Sequence, residues 1–192
     1  MSIQTRTKSP FLIFRRCVLC WSFLFLLPNP THANDMVCFA PNDKSGSSGA
    51  VRVDTLGLIH TEQALPVDEN GRLKGETTAE QFQTVLSRLD AAGQHAGAGL
   101  DRCVKLNVYL QDNADGEVVR AILAERFNGA HKPAVCDVTT KLVLADARVA
   151  ADAVIATTLQ PQSSVEKHSA QGQRAACAVL SPGGRAYVSG QA

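Results

Sequence analysis

"DRCVKLNVYLQDNADGEVVRAILAERF", residues 101–127, contains a change of hydrophobic period that decides the fold class. Up to Leu110 the apolar residues alternate. Val104, Leu106, Val108 and Leu110 fall on one side and Cys103, Lys105, Asn107 and Tyr109 on the other, as in a half-buried strand. From Asp115 the period lengthens: Val119, Ile122, Leu123 and Phe127 recur at helical spacing, and Gly129 is placed to stop the helix. A strand that hands over to an amphipathic helix needs a sheet and a helical layer around one core.

The neighbouring stretches extend this pattern. Thr77 to Ala92 predicts a helix opened by a capping box, in which the Thr77 hydroxyl takes an orphan amide and the Glu80 carboxylate reaches back. Phe82, Val85, Leu86 and Leu89 make its apolar face, and Gly93 reads as its left-handed cap. Val51, Val53, Leu58 and Ile59 lie around Gly57 and predict two short strands joined by a tight turn. "PVDENGRLKG" is a loop with Asn70-Gly71 as its turn signal. "HKPAVCDVTTKLVL" (131–144) predicts a strand with Cys136, Val138, Thr140 and Leu142 on one face and Val135, Asp137 and Thr139 on the other. "RVAADAVIATT" (148–158), rich in small apolar residues, predicts a last strand buried on both sides. The order is ββαβαββ: an α/β (α+β) fold, one sheet backed by two helices.

Of the 192 residues 45% are hydrophobic, enough for a real core, and a net charge of +1 with 5% aromatics leaves no footprint for nucleic acid. Residues 1–33 read as a secretory signal. Arg6, Lys8, Arg15 and Arg16 precede the apolar run "CVLCWSFLFLL", and Thr31 and Ala33 suit a cleavage site after Ala33. That run is about half of what a spanning helix needs, so the mature protein is expected to be exported, periplasmic or secreted, and free of the membrane. Cys17 and Cys20 fall inside the leader; Cys38, Cys103, Cys136 and Cys177 remain, as free thiols or with one bridge, at spacings that match no zinc site. The five scattered histidines complete no metal motif, and neither metal nor cofactor is expected.

Residues 34–49 end in "NDKSGSSG" and read as a flexible linker before a domain at 50–158, with a second linker at 159–173. The tail at 174–192 repeats the start of that domain. "LGLIHTEQA" (56–64) and "GRAYVSGQA" (184–192) align without gaps at an offset of 128 residues. The tail therefore reads as the opening of a truncated second copy.

The segments "TEQALP", "DENG", "AAG", "DRCVKLNVYLQD", "RAILAERF", "KPAVCDV" and "ADAVIA" stand in the order of the motifs of the RidA (YjgF/L-PSP) family, which the chain resembles over about residues 50–158. The resemblance implies a chorismate-mutase-like fold, assembly as a homotrimer with clefts between subunits, and a small organic acid or an imine as ligand. Enzymes of the family hydrolyse enamines and imines to a 2-keto acid and ammonia. The arginine of Pro-Ala-Arg-Ser clamps the substrate carboxylate, and a glutamate on the last strand positions water.

The chain departs from that pattern where the chemistry sits. The clamp position is Val135, which offers no donor, and the serine after it is Cys136. The glutamate position is Asp152, one carbon shorter. Ser-Gly of the strand motif is Thr61-Glu62, followed by Gln63, which places a carboxylate near the cleft. Arg120 is the new positive charge on the second helix. Asp137 and Asp152 are candidates for facing carboxylates, and Cys136 with His131 is a candidate nucleophile pair. Two readings follow: a degenerate binding or oligomeric module, or a deaminase that uses other pocket groups.

Overall fold

The computed structural model describes residues 36–161, 165–168 and 176–183. The expected leader, most of the expected second linker and residues 184–192 of the expected second copy lie outside the described residues. The elements run β1 (Met36–Asn42), β2 (Ser47–Val53), β3 (Gly57–Thr61), α1 (Thr78–His95), β4 (Cys103–Leu110), α2 (Gly116–Arg126), β5 (Ala134–Thr139), β6 (Val149–Thr157), β7 (Val165–His168) and β8 (Cys177–Leu180). All eight strands join one sheet in the order β1-β2-β5-β4-β6-β3-β8-β7.

The middle of the sheet follows from connection lengths. β4 reaches β5 through α2, a crossover that makes the pair parallel, whereas β6 runs antiparallel to both β4 and β3. The helices cover one face. Phe82, Val85 and Leu89 of α1 and Val119 and Leu123 of α2 pack on Leu106, Val108, Leu110, Val149, Ala151, Ala153 and Ile155 in one core. α1 starts at the expected capping box: the Glu80 amide donates to Thr77 Oγ1 at 3.3 Å, and Glu80 Oε2 accepts from the Thr77 and Glu76 amides at 3.1 and 2.9 Å. Those backbone amides hold the Glu80 carboxyl below its ordinary pKa.

Several expectations are corrected. The alternation in β4 breaks at a bulge between Cys103 and Lys105, so Cys103 joins the helix-face core while Val104 turns to the opposite face. Gly93 does not end α1. The helix continues to His95, and the left-handed glycine is Gly97 at φ +99°. A Cβ on Gly93 would lie 2.5 Å from the Ala98 carbonyl and 2.6 Å from Ile155 Cδ1, so glycine is there for close approach of helix and sheet. Residues 34–49 are not a flexible linker: β1 and β2 form a hairpin, because Gly46 at φ +60° closes a turn between two runs able to pair. β2 does not form a hairpin with β3. β2 pairs with β1 and, at Ser48, with β5, while β3 lies between β6 and β8. The second linker likewise contains β7, which pairs with β8.

On the uncovered face, the end of β2 brings Val51 and Val53 onto Met36, Leu56, Leu58, Val104 and Ala156 as a second cluster. The stretch 131–144 supplies a strand only to Thr139; beyond it the chain leaves the sheet and buries Leu142 in a third small cluster. Among the described residues no helix is long and apolar enough to cross a membrane.

Candidate functional site

Register sorts the candidate residues into two rows. Val135 pairs with Leu106, Leu106 with Ala153, and the Ala153 amide donates to Thr61 Oγ1 at 2.9 Å. These four share the helix-covered face, and Thr61 stands opposite Cys177 of β8. Cys136 pairs with Asn107 and Asn107 with Asp152, one residue along and therefore on the opposite face. Val135 and Asp152 thus point to opposite sides of the sheet within one chain.

Asp152 is half-buried and held from two directions. Asn107 Nδ2 donates to its Oδ1 at 2.8 Å, and the Tyr109 hydroxyl donates to its Oδ2 at 2.7 Å. Burial first, then the Asp152 carboxylate, push the Tyr109 phenol up to about 12. A phenol whose pKa is higher folded than unfolded stabilises the fold fully below the unfolded value near 10, and that contribution is lost as pH rises through about 12. In an absorbance titration at 295 nm the phenolate step assigned to Tyr109 by its Phe variant is expected near pH 12. Asp152→Asn moves it down only partway, because burial is the larger cause.

The Asp137–Asp152 pairing is overturned: β4 lies between their strands, and Asp137 stands opposite Val108 on the helix side. Cys136 and His131 are both exposed, and among the described residues no hydrogen bond joins them as a nucleophile pair. All four described cysteines are free thiols, and Cys103 and Cys177 are buried. Arg120 lies exposed on α2, its guanidinium folded back toward Gly116, and Gln63 is exposed beyond the end of β3. Among the described residues no group of three or more His, Cys, Asp or Glu is placed to hold a metal ion.

What the sequence reading missed is a cavity of about 300 Å³ at the Thr61 end of the row. Leu89 and Ala92 of α1 form its apolar wall, and Thr61, Glu62, Arg88, His95 and His168 bring polar atoms to it. His95 and His168 meet edge to face at 5.9 Å. Arg88 Nη1 donates to the Val67 carbonyl at 3.3 Å, which engages one end of the guanidinium outside the cavity lining. Cys177 also lines the cavity, and its thiol pKa is raised, by burial first and then by Glu62. His168 and Cys177 arrive with β7 and β8, which the sequence pattern did not attach to this sheet. Val135 is not part of this cavity: three strand spacings, about 14 Å, separate it from Thr61.

The chain matches the family model described as Endoribonuclease L-PSP over residues 46–157. It is 32% identical over 96 residues to a RutC family protein of Pyrococcus abyssi, covering 50% of this chain and 73% of that one. It is 28% identical over 95 residues to protein HMF1 of Saccharomyces cerevisiae, covering 50% and 71%. A solved Rid family protein of unknown function from Yersinia pestis, YyfB, superposes with a TM-score of 0.58 at 22% identity, over 64% of this chain and 98% of that one. That likeness carries the fold: a mixed sheet with two helices on one face.

Proposed function

The chain belongs to the Endoribonuclease L-PSP family, and from that premise we propose that it is an exported ligand-binding member which lacks the family's carboxylate clamp. One observation carries this reading. Val135 stands half-buried against the helix-side core, with only Leu106 and Ala153 between it and Thr61 in their row. An aliphatic side chain there gives an anion no hydrogen bond and makes its desolvation costly. Export rests on the basic and apolar composition of residues 1–33. Assembly as a trimer rests on the family resemblance, and it fits the 14 Å or so between Val135 and Thr61, which a second copy would have to bridge.

The ligand is a small organic acid or its imine, bound in the cavity beside Thr61. Arg88 supplies a positive charge for a carboxylate, and Glu62, which also lines the cavity, suits a protonated nitrogen. A panel of short 2-keto acids is expected to raise the unfolding free energy of the chain from Asn34 by about 2.7 kcal/mol at a hundredfold excess over Kd, read as a shift of the unfolding midpoint. Arg88→Ala should abolish the shift and Glu62→Gln should enlarge it. No shift with any member of the panel, or a shift indifferent to Arg88, would sink this reading. The second reading, turnover, has Asp152 in its favour, a half-buried carboxylate held by two donors as a water-positioning group would be.

A further inference from the structure

The hairpin β7–β8 has the register of β1–β2 at the offset seen in the sequence. Val37 pairs with Arg52, Cys38 with Val51 and Phe39 with Ala50. At 128 residues further on, Val165 pairs with Leu180, Glu166 with Val179 and Lys167 with Ala178. Ala50 and Val51 of β2 recur as Ala178 and Val179 of β8, extending the ungapped match that ends in Gln63-Ala64 and Gln191-Ala192. A strand slipped by one residue would put the opposite side chains on the core, so identical register in both hairpins is a specific equivalence.

The seat of β8 is equally specific. Ala178 stands opposite His60 and Leu180 opposite Leu58. Substituting the equivalent residues of β2 puts Ala50 opposite His60 and Arg52 opposite Leu58. That is the register β2 would take against β3 if the chain closed a hairpin over the three residues Asp54, Thr55 and Leu56, a common loop length. β8 therefore occupies on β3 the place that β2 could reach through its own short connection.

We propose that the edge of β3 is a receptor for either hairpin, and that the occupant sets the lining of the neighbouring cavity. With β7–β8 seated, His168, Ala176 and Cys177 face the cavity. With β1–β2 seated, the equivalent positions are Ala40, Ser48 and Gly49, which remove an imidazole and a thiol and add a hydroxyl. To move, β1–β2 must release the Ser48 amide from the Pro133 carbonyl (2.8 Å), the Ser48 hydroxyl from the Lys132 carbonyl (2.9 Å) and Asp43 from Lys132 Nζ (2.9 Å). It gains a ladder along β3 in return. This is exchange of an equivalent element between two seats, the logic of domain swapping within one molecule.

The test uses the chain from Asn34 with β8 unseated by Val179→Asp, which puts a carboxylate at a position 1% exposed. Ala178→Pro, which removes an amide and leaves the charge unchanged, is the second variant. Protected β4 amides report that the rest of the fold stands. The expected result by NMR is a new cross-strand contact between Ala50 and His60. The β3 amides should keep protection within about tenfold of wild type while the Ser48 amide loses its own. Absence of the Ala50–His60 contact in both variants overturns the proposal, whether the β3 edge is left open or β8 stays in place.

Discussion

Val135→Arg is expected to raise hydrolysis of enamines and imines about 10- to 100-fold above the wild-type background. The magnitude follows from one charge-assisted bidentate contact to a carboxylate, about 1.5–3 kcal/mol, at about 1.4 kcal/mol per decade of rate. Residue 135 is half-buried, so a long side chain can keep its stem on the core and its guanidinium at the surface. Asp137 lies two residues along the same face of the strand, about 7 Å away, and would draw the new cation to itself. Val135→Arg with Asp137→Ser should therefore exceed Val135→Arg alone. Release of 2-keto acid, measured on both variants after far-ultraviolet dichroism confirms folding, checks the order.

Gly46→Val is expected to lower stability by about 3 kcal/mol or more, from a forbidden backbone conformation and an unavoidable clash together. Gly46 is buried at φ +60°, and a Cβ there would sit 2.1 Å from the Leu123 carbonyl oxygen and 2.4 Å from its carbon. Neither atom belongs to a flexible side chain, so the hairpin turn must lift off the end of α2. Gly71 separates the two causes. It has φ +76° with open space where a Cβ would go, so Gly71→Ala carries the conformational cost alone, about 1 kcal/mol. Urea midpoints of Gly46→Ala, Gly46→Val and Gly71→Ala should fall in that light, with both Gly46 variants below Gly71→Ala. A Gly46→Ala midpoint equal to that of Gly71→Ala would mean that the turn does not rest on α2.

The parts of the fold legible in sequence were those where local pattern and tertiary packing agree. Phe82, Val85 and Leu89 carry a helical period because they face one sheet, and Thr77 and Glu80 cap that helix through bonds within four residues. The bulge at Cys103–Lys105 was not legible, because Val104 is as apolar as its neighbours and the uncovered face has an apolar cluster of its own to receive it. The β1–β2 hairpin was hidden by composition: Ser, Gly and Asp close its turn, and the same residues make linkers. The motif order led to the family and to Val135, but not to the cavity. Arg88 and His95 lie two turns apart on α1, but His168 joins them only because β7 pairs with β8 and β8 finds the edge of β3. Strand partners chosen across more than a hundred residues leave no local signal.

The most direct measurement is 2-keto acid release by the unmodified chain from Asn34, supplied with an imine generated in place and compared with the uncatalysed rate. A clamp position filled by Val135 predicts no acceleration, together with stabilisation by the short 2-keto acids proposed for the cavity. Acceleration by the wild type that survives Val135→Ala and disappears in Asp152→Asn would contradict the account, and would place a working active site on the uncovered face of the sheet.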